Sequence, residues 1–302
     1  MDADATGLIS ASTLRSLLVA VESPDADALA RAALLIARIE HPRLDVEAYL
    51  TRLHELGARA AERLAGIDPS HVAERVSALN TFLYGEVGLQ GNERFYDDPR
   101  NSFINDVLDR RTGIPISLAV VYMAIARRAG VAAAGINFPG HFLIRCPIHS
   151  LHDLTADDLI VDAFNAGTLL AEGDCRRLLR KHAGDDTPFH DRLLVPTTTR
   201  AIVVRMLVNL KRVYVKLRSF PHARSAAHLL LQVEPSASTE LRDRGLLAYH
   251  MNDYTNALRD LERYLQLTSR GSSEEPDHDT RAEYEQVWEH VKALRRRVAS
   301  LN

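Results

Sequence analysis

The sequence has little cysteine, no long apolar run and no excess of charge of either sign. Two cysteines, Cys146 and Cys175, exclude a disulfide framework and a four-sulfur zinc site. No stretch reaches the ~18 apolar residues that a membrane-spanning helix needs, so an integral membrane protein is not expected. The 37 basic and 40 acidic residues leave a net charge of −3, which provides no global attraction to nucleic acid or anionic lipid.

Motifs for cofactors and metals are also missing. GLQGNER lacks the Lys-Ser/Thr ending of a phosphate-binding loop, and there is neither a dinucleotide-binding fingerprint nor a G-x-S-x-G elbow. His149 and His152 form only a weak zinc pattern, because they lie three residues apart on a polar loop and not at the spacing of ligands on one helix. We therefore expect no metal and no cofactor. The acidic N-terminus lacks the basic and apolar parts of a signal peptide, which predicts a cytoplasmic protein.

The composition is that of an ordinary globular protein, with 46% hydrophobic and 25% charged residues. At ~150 residues per domain, the length predicts about two domains. Residues 10–84 carry four stripes of apolar residues at helical spacing, which are interrupted near Pro24 and Pro42. Asp45 is placed to cap the third helix. These stripes indicate helix surfaces that face a core.

The pattern changes at Gly85. Residues 85–102 are rich in Gly, Asn and Asp, which predicts a long loop. The stretch PISLAVVYMAIARRAG predicts a buried helix that begins at Pro115 and stops at Gly130. Residues 131–164 then follow a period of two, which predicts about three short antiparallel strands. The middle of the chain is therefore an α+β unit.

Helical sequence returns near residue 197 and repeats itself. Phe220 and Tyr254 are 34 residues apart, and so are Ala223 and Ala257. This period is typical of tetratricopeptide repeats, which are stacked helix pairs. A last helix around Trp288 is predicted to cap the stack, and its basic C-terminal run is interpreted as a solvated helix end.

Three features that can carry chemistry follow one another in the middle of the chain. They are the helix entered at Pro115, a strand that opens with His141, and a strand that carries Asp162. A histidine can take a proton from a nucleophile at the helix start, and an aspartate can hold the ring in the required tautomer. A purely structural explanation stays open, since a histidine at a strand start is commonly just hydrogen-bonded.

Other polar residues are candidates for the same cleft. Asn101, Asn105 and Asp106 lie just before the buried helix and either line the cleft or cap and turn the chain. Arg145 shares a strand face with His141 and is a further candidate for binding in the cleft.

A resemblance to a known family rests on three segments, DPRNSFINDVLDRRTGIPISLAVVYMAIARRAGV, FPGHFLIR and IVDAFNAGTLL. Together they resemble the SirB family, bacterial transglutaminase-like proteins with C-terminal tetratricopeptide repeats. The resemblance covers roughly residues 30–268 and implies a transglutaminase-like (papain-like) core. Enzymes with that core use Cys, His and Asp in chain order, and His141 and Asp162 match the last two roles.

The first role has no cysteine to fill it. The resemblance places the nucleophile near Pro115, Ile116 or Ser117. Ser117 is the substitute that the sequence offers, but an alcohol ionises far less readily than a thiol. A serine at a helix start is also a common capping residue.

Neither cysteine is an obvious replacement. Cys146 lies five residues beyond His141 on a strand, so it faces the other way and is ~17 Å along at ~3.4 Å per residue. Cys175 has two arginines beside it, which favours a thiolate. Nothing in the sequence brings Cys175 to His141, and a structural thiol is the expected role.

These observations predict a mostly helical α+β protein in three parts. Residues 1–84 are an N-terminal helical segment, residues 85–196 the transglutaminase-like core with a small antiparallel sheet, and residues 197–302 two tetratricopeptide repeats with a capping helix. The leading functional hypothesis is a non-catalytic module that binds a protein or peptide partner. The alternative is an atypical hydrolase or acyltransferase that uses Ser117, His141 and Asp162. The oligomeric state stays open.

Overall fold

A computed structural model describes residues 9–148, 155, 158–271 and 278–299. His149 and His152, the weak zinc pattern, lie outside these residues. The chain divides into two compact units. We call residues 15–206 the core unit, and the described parts of residues 1–14 and 207–302 the repeat unit. No helix of the described part is both long and apolar enough to cross a membrane.

Most of the described chain is helical. The α-helices are α1 (Ala11–Glu22), α2 (Ala28–Ile36), α3 (Val46–Leu64), α4 (Val72–Asn80), α5 (Ile104–Arg110), α6 (Pro115–Arg128), α7 (Glu172–Ala183), α8 (Thr199–Lys216), α9 (Phe220–Val233), α10 (Ser238–His250), α11 (Tyr254–Gly271) and α12 (His278–Ala299). Short 3₁₀ and π-helical segments extend some of them, including Ala37–Ile39 after α2 and Thr81–Glu86 after α4.

The strands are short and lie in the core unit. They are β1 (Gln90–Gly91), β2 (Thr112–Gly113), β3 (Ala134–Ile136), β4 (Leu143–Cys146), β5 (Leu159–Asp162) and β6 (Thr168–Leu170). β1 and β2 form a parallel pair, and β3 to β6 form an antiparallel sheet in chain order. The prediction of a mostly helical α+β fold is confirmed, although β6 and the β1–β2 pair were not predicted.

The N-terminal helices begin and end where local chemistry requires. The carboxylate of Asp45 accepts a hydrogen bond from the backbone N–H of Ala48 at 3.1 Å, which caps α3. α1 stops at Glu22, just before Pro24, because proline cannot supply the helical N–H.

Helix α6 is the buried centre of the core unit. Pro115 is its first residue, where the missing N–H costs no helical hydrogen bond. Leu118, Val121 and Tyr122 are fully buried, as the sequence predicts. Gly130 ends the helix with φ 73°, a left-handed conformation that favours glycine.

The repeat unit consists of helix pairs at the predicted period. Phe220 and Tyr254 are the first residues of α9 and α11, so the 34-residue spacing marks equivalent helix starts. Ala223 and Ala257 have no exposed surface, because neighbouring helices pack closely there. α12 buries Val287, Val291 and Leu294 in the same apolar cluster as Ala257. Trp288 lies at the surface of α12, with Lys292 and Arg295 over its ring.

Candidate functional site

His141 and Asp162 meet at one edge of the antiparallel sheet. Nε2 of His141 lies 2.9 Å from Oδ1 of Asp162, and both side chains are buried. Ile144 of β4 is opposite Val161 of β5, so the start of β4 and the end of β5 reach the same edge. His141 itself lies in the turn before β4, rather than opening the strand as predicted.

The backbone conformation of Gly140 and the side chain of Arg205 hold that turn in place. Gly140 has φ 66°, which an L-residue rarely adopts. Arg205 of α8 donates from Nη1 to the carbonyl of Phe138 at 2.8 Å and from Nη2 to the carbonyl of His141. The turn is therefore positioned by both its own glycine and a distant arginine.

Asp162 is saturated with hydrogen bonds. Besides His141, its carboxylate accepts from the backbone N–H of Phe164 at 3.0 Å and from Nδ2 of Asn165 at 2.7 Å. Burial alone would raise the pKa of Asp162, but the hydrogen bonds from His141 and Asn165 outweigh it, and the pKa lies below its ordinary value. Asp162 is therefore an anion that orients the imidazole.

Two aromatic rings cover His141. The ring of His182 stacks on it with centroids 5.8 Å apart, and Phe164 meets it edge to face at 6.1 Å. Burial and the nearby His141 lower the pKa of His182. The sequence reasoning missed His182, Phe164 and Arg205. The only available signal for His182 was its place on the same face of α7 as the buried Cys175, seven residues earlier.

Ser117 is part of the helix start rather than of a cleft. Its side chain is fully buried at the third position of α6, and its Oγ accepts from the backbone N–H of Ile114 at 3.1 Å. The hydroxyl proton faces two carbonyl oxygens, those of Asn101 and Ile114. No hydrogen bond of the described residues joins Ser117 to His141. The arrangement is that of a capping serine.

Neither cysteine is activated. Cys175 is buried in an apolar cluster with Ile136, Phe138 and Leu143, and burial raises its pKa to about 11. Cys146 is buried on β4, and burial raises its pKa to about 12. A thiol with a raised pKa holds little thiolate near neutral pH, so neither side chain is a ready nucleophile. Neither forms a described hydrogen bond with His141.

Asn101 organises the loop before α5. Its buried side chain donates from Nδ2 to the carbonyl of Phe95 at 2.7 Å, and its Oδ1 accepts from Nδ2 of Asn92 at 3.1 Å. Its backbone carbonyl also accepts from the hydroxyl of Ser117. Asn101 therefore joins the loop to the start of α6, and none of its described hydrogen bonds goes to His141 or Asp162.

The other candidates are held by neighbours of their own. Oδ2 of Asp106 lies 2.9 Å from Nε2 of His41. Arg145 donates to Asp158 at 2.8 Å and also to the backbone carbonyls of Leu194 and Thr155. Asn105 is buried on α5, and its Oδ1 has no hydrogen-bond partner among the described residues.

The site thus holds a histidine–aspartate pair, and no described serine or cysteine side chain is hydrogen-bonded to His141. None of the described hydrogen bonds uses Nδ1 of His141. The pair has the orientation of a base and its positioning carboxylate. No group of three or more potential metal ligands occurs among the described residues.

Comparison with known proteins agrees with this architecture. The family described as "Transglutaminase-like superfamily" matches residues 47–208, and the family described as "Tetratricopeptide repeat" matches residues 210–286. A UPF0162 protein of Xylella fastidiosa (strain Temecula1) is 39% identical over 241 residues, which are 78% of this chain and 82% of that protein. Protein SirB1 of Salmonella typhimurium is 24% identical over 229 residues, 76% of this chain and 81% of that protein.

A eukaryotic relative shares a large part of the chain. F-box only protein 21 of Pongo abelii is 29% identical over 227 residues, which are 73% of this chain and 35% of that protein. No solved structure matches the chain. Because the transglutaminase-like match spans more than half of the sequence and the Xylella relative aligns over most of both chains, this protein belongs to the transglutaminase-like superfamily, as a SirB-family member with tetratricopeptide repeats.

Proposed function

We propose that this protein is a non-catalytic binding module, in which a degenerate transglutaminase-like core accompanies a repeat unit that holds a protein or peptide partner. The observation that carries the proposal is the position of Ser117. It stands where the resemblance places a nucleophile, yet its hydroxyl is buried and bonded to the backbone at the start of α6.

The covered state of His141 supports the same proposal. The imidazole retains little exposed surface because His182 and Phe164 lie against it. A general base must come within hydrogen-bond reach of the proton that it removes. A substrate would therefore have to displace these rings, and no described serine or cysteine is hydrogen-bonded to His141 to act as the nucleophile.

The repeat unit supports the binding role. Tetratricopeptide stacks build extended concave surfaces that recognise proteins and peptides. Their helices are tied together here by internal ion pairs, such as Arg224 with Asp253 and the two-bond pair of Arg244 with Asp260. A surface held in this way is ordered before the partner arrives, which reduces the entropy lost on binding.

The test of non-catalysis is an assay for ester hydrolysis, amide hydrolysis and acyl transfer to an amine. We expect the wild-type protein to give the same rates as His141→Ala and Asp162→Asn. His190→Ala removes an exposed histidine outside the site. It is the control for non-specific catalysis by an imidazole at the protein surface. A wild-type activity that His141→Ala abolishes and His190→Ala retains would contradict the proposal. It would favour the alternative, a hydrolase or acyltransferase using Ser117, His141 and Asp162.

The test of binding is site-specific crosslinking in cells with a photoreactive residue in the repeat unit. Val215, on α8, is exposed and accepts such a residue without disturbing the core. We expect one discrete crosslinked protein at this position and none at exposed Glu93 of the core unit. Crosslinking from Glu93 alone would assign the partner to the core unit instead.

A further inference from the structure

A groove of about 510 Å³ lies between α1, α2 and the start of α3 in the core unit. None of the residues that line it belongs to the His141–Asp162 site. Its volume lies within the ≈300–1,000 Å³ of small-molecule sites. The groove therefore has room for a ligand larger than a simple ion.

The floor of the groove is apolar. Ala20, Ala28, Leu35 and Val46 line it, and each is buried in the helix packing below. Val19 forms its lip and is 71% exposed. A β-branched apolar residue so exposed on a helix gains little from packing against the described residues, whereas a hydrocarbon chain in the groove would shield it from water.

The rim carries more positive than negative charge. Three guanidinium groups line the groove, those of Arg15, Arg31 and Arg38, against the carboxylates of Asp25 and Glu47. Glu47 is bonded to Arg31 through both of its oxygens.

The remaining rim groups differ in their partners. Asp25 accepts a hydrogen bond from the backbone N–H of Asp27 at 2.9 Å, and Arg38 donates to the carbonyl of Leu44 at 3.0 Å. Arg15 makes no ion pair or hydrogen bond with any other described residue. An uncompensated cation thus stands beside an apolar floor.

We propose that this groove binds an anionic amphiphile, a molecule with one alkyl chain and a carboxylate or phosphate head. The alkyl chain lies on the floor beside Val19, and the head pairs with Arg15. Guanidinium groups bind both carboxylate and phosphate heads well, because their planar N–H donors match the oxygen pairs. The proposal is independent of the non-catalytic role assigned above, since it uses none of the same residues.

The experiment is calorimetric titration of the full-length protein below the micelle concentration of each probe. Decanoate and decyl phosphate are the anionic probes, and their relative affinities distinguish the two head groups. We expect saturable binding at one site. Decanoate should bind about 15-fold more tightly than octanoate, because each buried methylene is worth about fourfold in affinity. Decyltrimethylammonium and decanol should bind at least tenfold more weakly than decanoate.

Matched exposed variants locate the site. Arg15→Glu and Val19→Asp should each weaken decanoate binding about tenfold or more. Arg15→Glu reverses the charge that faces the carboxylate of decanoate, and Val19→Asp places a carboxylate beside its alkyl chain. Arg43→Glu and Val195→Asp make the same changes at exposed residues outside the groove and should leave the affinity unchanged. All four residues are exposed, so the variants are expected to fold, and circular dichroism checks this.

Three outcomes would overturn the proposal. They are the absence of saturation, equal binding of the cationic and anionic probes, and equal affinity of Val19→Asp and Val195→Asp for decanoate. The last two would show non-specific association of alkyl chains. None of these three binding results changes the outcome expected in the catalytic assay. The amphiphile proposal can therefore be wrong while the non-catalytic role holds, and the reverse is also true.

Discussion

Ser117 shows how one side chain can satisfy several backbone groups at once. Its hydroxyl accepts from the N–H of Ile114, which the first turn of α6 leaves without a helical partner, and it donates toward the carbonyl of Asn101. Because the site is fully buried, water cannot replace these bonds. The role of Ser117 is therefore one of stability.

We expect Ser117→Ala to lower the free energy of unfolding by about 1–3 kcal/mol, since the buried backbone groups of Ile114 and Asn101 would lose the hydrogen bonds of the hydroxyl and keep only those they make with other backbone groups. Urea denaturation followed by circular dichroism measures the change. Ser77→Ala is the control, because Ser77 is exposed on α4 and should stay within about 0.5 kcal/mol of the wild type. If both variants match the wild type, the hydroxyl of Ser117 is not the cap that its geometry indicates.

At the scale of elements, the turn before β4 and helix α7 depend on each other. Gly140 adopts φ 66°, and a Cβ placed there would lie 2.4 Å from Cβ of His182. A side chain at this position would push α7 away from the turn. The helix then could not keep His182 stacked on His141.

We expect Gly140→Ala to destabilise the protein more than Gly184→Ala does. Gly184 also has a positive φ, 92°, but its Cβ would meet nothing within 4 Å, so it shares the backbone strain without the overlap. The strain is worth about 1–3 kcal/mol in each variant.

The two glycine variants are compared by thermal denaturation and by the rate at which diethyl pyrocarbonate modifies His141, identified by mass spectrometry. Gly140→Ala should raise that rate because the cover is displaced. Equal rates in the two variants would show that His182 does not protect His141.

At the scale of the whole molecule, acidification should reduce stability in two stages. Burial, and then the neighbouring His141, hold the pKa of His182 below its ordinary value of 6.5. The unfolded chain then binds this proton more readily than the folded chain, so stability falls as the pH drops below about 6.5. Carboxylates with lowered pKa values in both units, including Asp158, Asp162 and Asp253, produce a second loss below their ordinary value of 3.8.

We expect His182→Phe to remove the first stage only, because phenylalanine keeps a ring over His141 but does not titrate. The measurement is the melting temperature between pH 8 and pH 3. His190→Phe, which changes an exposed histidine without a described ring contact, should keep the wild-type profile. A first stage that persists in His182→Phe would place its origin in another group.

Much of the fold was predictable, because it follows from local pattern. The cap at Asp45, the start of α6 at Pro115 and its end at Gly130 are properties of a few neighbouring residues. The equivalence of Phe220 and Tyr254 follows from the repeat period. The strands β1 and β2 were missed, because two residues are too few to show an alternating pattern, and β6 lies beyond the residues 131–164 in which the alternation was found.

The sequence by itself determined which chemical groups are available. It contains His141 and Asp162 in the expected order and no cysteine at the start of α6, and these facts hold in any conformation. Only the tertiary structure decided what surrounds those groups. His182 and Arg205 reach His141 from helices far along the chain, and Asn101 holds Ser117 at the helix start. Such contacts depend on how distant elements pack, and no local spacing in the sequence encodes them.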